Sequence, residues 1–236
     1  MPLRPWSPIP IRDNGEALQE IPSLLLRLEP HPYASLGAPY GAASGPFRLR
    51  SGVIERLLIA QRELQEVRSG WRLAIFDAWR PLAVQRFMVR HAYAQECRSR
   101  GLDPDQPGEA HAAVAQLVDR FWAPPSVDPA TPPPHSTGGA VDLTLADGRG
   151  RPLAMGGVID ELGPVSEPDH HASAAAQRPD SEAAEWHSRR QLLADCLARA
   201  DFAQHPNEWW HFSHGDQLWA WRLGRAEACY GRCPEG

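Results

Sequence analysis

In PPPHSTGGAVDLTL (residues 132–145) a His and an Asp stand seven positions apart, separated by two glycines. Asp142 interrupts an apolar alternation. Val141, Leu143 and Leu145 point one way along a strand, while Ala140, Asp142 and Thr144 point the other. A carboxylate there must face something that stabilises it, because burying an unpaired charge is expensive. A metal ion, an Arg or backbone donors would each answer. Gly138 and Gly139 let the chain bend so that His135 folds back toward the face of Asp142. By itself the pair also reads as an ordinary capped strand end.

A second stretch, Glu208-Trp209-Trp210-His211, holds a Glu and a His three apart. It is not the helical zinc motif, which spaces two His by four with a Glu between. The His could reach a metal and the Glu its water, with aromatic neighbours excluding bulk solvent. The plain alternative is an aromatic strand with two incidental polar residues. Together the stretches supply His135, Asp142 and His211. Three protein ligands with one open position is the pattern of a catalytic zinc site. Zinc brings the pKa of a coordinated water toward neutrality. Glu208 beside it would then serve as general base.

The elements that must position these residues follow from periodicity. Val53, Leu57, Leu58, Ala60, Leu64 and Val67 predict a helix over 52–68, stopped at Gly70. LAIFD (73–77) predicts a buried strand. Pro81 fits a first helical position, followed by a helix over 82–98 with Val84, Phe87, Met88 and His91 on one face. Further helices are expected over 109–122 and 182–202, a proline-rich loop over 123–134, and loop over 161–181. NEWWHFSHGDQLWAWRL predicts strands joined by a turn at Gly215-Asp216.

The bulk properties bound the function. The chain has 236 residues, 42% hydrophobic and 22% charged, with net charge -5. That balance gives no reason to expect nucleic acid as a partner. All 24 basic residues are Arg, which excludes a catalytic Lys. No segment approaches the ~18 apolar residues of a membrane span, and the N-terminus has no apolar export region, so cytoplasm is the default expectation. Cys97, Cys196, Cys229 and Cys233 are too few for a disulfide framework.

The residues also resemble a known family. HSTGGAVDLTL, FDAWRPLAVQRF and EWWHFS together look like the VanX-type D-alanyl-D-alanine dipeptidases, with weaker likeness at PYASLGAPYG and MGGVIDE. The resemblance runs from about Tyr33 to about Trp221. It leaves out the first ~30 residues and the tail after Leu223. It implies that His135, Asp142 and His211 hold one zinc ion per chain and that Glu208 is the catalytic base. Arg80 matches the Arg that stabilises the oxyanion, with Asp77 able to orient it; the bland reading of that pair is a strand-end salt bridge. Asp160 would help hold the substrate's ammonium group, and Tyr33 would line the same pocket. Pro133 stands where the family has Ser, Ile159 where it has Phe, and Asp201-Phe202 where it has Gly-Phe.

The resemblance thus implies zinc-dependent hydrolysis of a small D,D-dipeptide, D-alanyl-D-alanine, to free D-alanine. The rivals are a zinc D,D-carboxypeptidase or endopeptidase on peptidoglycan stem peptides, and a non-catalytic zinc-binding interaction domain. The expected fold is α+β: one domain over 1–236, with a small central antiparallel sheet carrying the zinc site and helices flanking it. Residues 1–30 are expected as an irregular arm and 224–236 as a tail.

Overall fold

The computed structural model describes residues 4–41, 45–106 and 108–234. In chain order its elements are β1 (Leu18–Glu20), β2 (Leu26–Arg27), α1 (Pro32–Ser35), β3 (Arg48–Arg50), α2 (Ser51–Val67), β4 (Arg72–Asp77), α3 (Leu82–Ser99) and α4 (Glu109–Phe121). There follow a 3-10 turn (Pro134–Thr137), β5 (Ala140–Ala146), α5 (Ala172–Gln177), α6 (Glu182–Arg199), β6 (Ala203–Gln204), β7 (His211–Ser213) and α7 (Gln217–Arg222). None of the described helices is long and apolar enough to cross a membrane.

The α+β expectation holds, with one change. The main sheet runs β2-β4-β5-β7-β6, and its β2–β4 pair is parallel, so it is mixed rather than antiparallel. β5 lies at its centre and is buried along its whole length. Val141, Leu143 and Leu145 face the main core, with Leu57 and Leu64 of α2 and Leu193 and Leu197 of α6. Burying each such side chain contributes about 1.5–3 kcal/mol. The opposite face carries Asp142. A second apolar cluster borders that side, built on Val84 and Met88 of α3, Val114 and Val118 of α4, and Tyr33 and Trp122.

The local signals act as expected at most helix ends. Ser181 caps α6, its hydroxyl accepting from Ala184 N at 3.3 Å. α6 stops at Arg199 because Asp201 turns left-handed (φ 65°). Phe202 N then returns to Leu197 O and Asp201 N to Ala198 O, both at 3.0 Å. Pro81 precedes α3 as its cap instead of opening it. The strand expected over LWAWRL is a helix, α7. Its alternating tryptophans look like a strand, but the Asp216 carboxylate accepts from Trp219 N at 2.8 Å and nucleates a helical turn. The segment 161–181 is also less irregular than expected, since it contains α5.

The segments toward both ends of the described chain pack on the body of the fold. Arg50, 4% exposed, is the pin. Its Nε donates to Thr137 O (2.9 Å), its Nη2 to Asp13 Oδ2 (2.7 Å) and Gly231 O (3.0 Å), and its guanidinium lies 5.3 Å from the centre of the Tyr230 ring. One side chain thus joins the N-terminal segment, the C-terminal segment and the turn that bears His135. Gly138 in that turn has φ 71°, and a Cβ there would meet Leu18 Cδ2 at 2.4 Å. All four cysteines are free. Arg50→Met should lower the stability of the metal-free protein by about 2–3 kcal/mol. Urea unfolding reads this, and an unchanged midpoint would mean that other contacts hold the termini.

Candidate active site

Sheet register brings the first residues together. Asp142 pairs with His211 across β5 and β7. On its other side it pairs with Asp77 across β4 and β5, where the register slips between Ile75 and Asp77. Directly opposite residues in neighbouring strands hold their side chains on one face. Asp77, Asp142 and His211 therefore form a row across the three strands. His135 joins from the 3-10 turn. Its Nε2 lies 3.2 Å from Asp142 Oδ2, and His211 Nδ1 lies 3.0 Å from Asp142 Oδ1.

The outer nitrogens of both rings are tied down, and this fixes what the inner ones offer. His135 Nδ1 lies 2.7 Å from Ala78 O, which can only accept, so Nδ1 carries the proton and Nε2 a lone pair. Ser213 gives its hydroxyl proton to Asp216 Oδ2 at 2.8 Å. Its oxygen is then left to accept from His211 Nε2 at 3.3 Å, so His211 Nδ1 is also a lone pair. The two lone pairs face each other at 3.2 Å beside the carboxylate, and Asp142 Oδ1 is buried without a hydrogen-bond partner. A convergence of acceptors calls for a cation. One donor atom from each of His135, Asp142 and His211 lies within 4.8 Å of the others. The donor set, the tied outer nitrogens and the orphaned oxygen all fit a divalent ion such as zinc.

Glu208 stands in the β6–β7 loop, which His205 N closes on His211 O at 3.0 Å. Its Oε2 lies 3.6 Å from His211 Nδ1 and its Oε1 3.8 Å from His205 Nδ1. Trp209 and Trp210 are buried on its C-terminal side, as water exclusion requires. Burial, with the charges of Asp142 and Asp160, pushes the Glu208 carboxyl well above the usual carboxylate range.

Arg80 follows β4 and is buried, so its pair with Asp77 is no exposed strand-end bridge. Its Nε and Nη2 donate to Asp77 Oδ2 at 2.9 and 2.6 Å. Nη1 donates to Gln85 Oε1 at 3.0 Å, and Nη2 also reaches Asp142 Oδ2 at 3.2 Å. Asp77 Oδ1 is held from behind by the Tyr40 hydroxyl (3.0 Å) and His31 Nε2 (3.1 Å).

Asp160 borders the same cavity with a left-handed backbone (φ 68°), rare outside glycine. Burial and the charge of Asp142 raise its pKa to about 7. The Tyr33 hydroxyl donates to Asp160 Oδ2 at 2.7 Å and accepts from Arg80 Nη2 at 3.3 Å. Tyr33 and Asp77 thus stand one layer behind the cavity wall and act on it through Asp160 and Arg80. The loop bearing Asp160 is buckled to α6 by Arg190, whose Nε donates to Met155 O at 2.8 Å and whose Nη1 donates to Val165 O at 3.0 Å.

The cavity has other walls that sequence reasoning missed: Arg4, Trp6, Gln85, Arg120, Phe121, Trp122 and His205. His205 was within reach, because it precedes Glu208 by the same three residues that separate Glu208 from His211. Arg4 and Trp6 carried no signal, since nothing local links them to residues so distant in the chain.

A buried His–Asp–His set with a carboxylate and a guanidinium at its rim defines a class, the zinc peptidases. The family model described as D-ala-D-ala dipeptidase matches residues 27–228. A D-alanyl-D-alanine dipeptidase of Synechocystis sp. is 43% identical over 245 residues, spanning 98% of this chain and 97% of that protein. One from Escherichia coli is 32% identical over 145 residues, 61% of this chain and 55% of that protein. Among solved structures, a vancomycin-resistance D,D-pentapeptidase, VanY, in complex with Zn(II) aligns over 93% of this chain and 96% of its own, with TM-score 0.46 and 14% identity. The chain belongs to the D-Ala-D-Ala dipeptidase family.

A raised carboxyl pKa has a measurable consequence for stability. Between the unfolded pKa of Glu208, 4.5, and its higher folded value, the native state binds the extra proton. Glu208 therefore costs more stability as pH rises through that window. In chelator-treated protein, Glu208→Gln should be more stable than wild type, and the gap should widen from pH 5 to pH 7 by up to about 1.4 kcal/mol per pH unit. A gap that stays flat in urea unfolding would mean that the Glu208 carboxyl is not raised.

Proposed function

We propose that this protein is a zinc-dependent dipeptidase that hydrolyses D-alanyl-D-alanine to free D-alanine, with His135, Asp142 and His211 as the ligands of one zinc ion per chain. The observation that carries the reading is the convergence of those acceptors with Glu208, Arg80 and Asp160 around one small cavity. Zinc, when bound, supplies Lewis acidity that polarises a peptide carbonyl and acidifies water. Glu208 takes the proton of the attacking water and returns it to the leaving amine. A carboxylate whose surroundings favour its protonated form suits both halves of that transfer. Arg80, held in place by Asp77 and Gln85, presents fixed positive charge to the developing oxyanion. Asp160, oriented by Tyr33, receives the free ammonium of the substrate.

Aromatic walls from Trp6, Phe121, Trp122 and Trp210 favour a short substrate over a stem peptide and keep bulk water out. We also infer that residues 1–236 act as one domain. The free cysteines are compatible with a reducing, cytoplasmic compartment.

The test is D-alanine release from D-alanyl-D-alanine by purified protein. Chelator should abolish it and added zinc restore it. Glu208→Ala should lower kcat by about 10²–10⁴, and Arg80→Lys by about 10²–10³. An N-acetylated dipeptide, whose ammonium is lost, should be refused. Equal turnover of acetylated or longer peptides would favour a carboxypeptidase. Zinc binding without hydrolysis of any peptide would sink the enzymatic reading.

A further inference from the structure

The cavity is lined by charges of both signs. Asp142, Asp160 and Glu208 contribute the negative charges, and Arg4, Arg80 and Arg120 the positive ones. Two of these cations are held closely by carboxylates, and Arg4 meets one only at longer range. Arg80 is spent on Asp77 and Asp142. Arg120 pairs with Glu167, and both of those side chains are more than 40% exposed.

Arg4 is different. It comes from the N-terminal segment, outside the residues that the family model matches. A tight turn holds it: Ser7 N donates to Arg4 O at 2.9 Å, and Arg4 N to Ser7 Oγ at 3.1 Å. Buried Gln217 then clasps the segment, its Nε2 donating to Ser7 O (3.0 Å) and Ile9 O (2.6 Å). Trp6 is 8% exposed and meets the His205 ring edge-on at 5.5 Å. The Arg4 guanidinium donates to the main-chain carbonyls of Asp119 and Trp122 at the end of α4. Its Nη2 also forms an ion pair with the Asp119 carboxylate at 3.7 Å, a wider contact than those of Arg80 and Arg120 with their carboxylates. Carbonyls orient a guanidinium without neutralising it. Arg4 lines the same cavity as Glu208 and His205.

A free dipeptide is a zwitterion. Its ammonium suits the acidic end of the cavity, and its carboxylate needs an oriented cation that no carboxylate already holds in a hydrogen bond. We propose that Arg4 receives the free C-terminal carboxylate of the substrate, which makes the N-terminal segment part of the specificity apparatus. The proposal rests on the free-dipeptide reading above.

The experiment compares D-alanyl-D-alanine with its C-terminal carboxamide, using zinc-loaded wild type, Arg4→Met and Arg120→Met. For the free acid, Arg4→Met should raise KM about 10–100-fold with kcat little changed, the loss expected of one charge-assisted hydrogen-bonded contact. For the carboxamide it should change little, so the wild-type preference for the free acid should disappear. Arg120→Met should keep that preference. An Arg4→Met enzyme that keeps it, or that loses both substrates equally, overturns the proposal; the second is what a purely structural role predicts. If wild type hydrolyses neither substrate, the dipeptidase reading fails, and calorimetric titration with D-alanyl-D-alanine judges Arg4 separately. Binding by wild type that weakens at least tenfold in Arg4→Met supports it. Equal affinity, or no binding to wild type, overturns it.

Discussion

Acceptor atoms without donors meet at the centre of this protein. The inner nitrogens of His135 and His211 and the Oδ1 oxygen of Asp142 converge where little water reaches. In the absence of a cation that arrangement is repulsive, and the neighbouring Asp160 and Glu208 add to the negative potential. The fold tolerates it because β5 is locked between β4 and β7 and the large core beneath it carries the stability. Energy spent holding like groups together is recovered when a divalent ion binds, which links metal affinity to folding. The main-chain carbonyl of Ala78 and the Ser213–Asp216 pair take part in this constraint, since they decide which ring nitrogen carries the proton.

Arg80 is the counterweight. As a buried guanidinium it would be costly alone, and as the partner of two carboxylates it is held rigidly. The slip in register at the end of β4 sets Asp77 opposite Asp142, so that one Arg reaches both. The Tyr33 hydroxyl then couples Arg80 to Asp160. The guanidinium proposed to stabilise charge at the acyl carbon and the carboxylate proposed to hold the ammonium are therefore mechanically joined. A change at Tyr33 would disturb both.

Closure of the cavity depends on segments far apart in the chain. Arg50 ties the two termini to the turn bearing His135, and Arg190 ties the Asp160 loop to α6. Gln217 in α7 holds the segment that carries Arg4 and Trp6. These polar pins suit a site that must exclude water, because each satisfies backbone carbonyls that a loop would otherwise leave bare.

Much was legible in the sequence because it is written locally. The alternation of VDLTL placed Asp142 opposite the core face, Gly138 and Gly139 marked the bend that returns His135, and helical spacing found α2, α3, α4 and α6. Chemistry also spoke through residue type, since His135, Asp142, Glu208 and His211 have few uses together. Local pattern misled at LWAWRL, where a capping carboxylate outweighed the look of a strand. It was silent wherever meaning lies in a meeting of distant residues. The Asp77–Asp142–His211 row needs the register of three strands. The parallel edge of the sheet, the use of the N-terminal segment as a wall, and the contact of Gln217 with Ser7 need the packed whole. Periodicity constrains a residue only against its neighbours in the chain. Which remote side chains share a cavity is decided by how the elements bury their apolar faces against one another, and only the tertiary structure records that outcome.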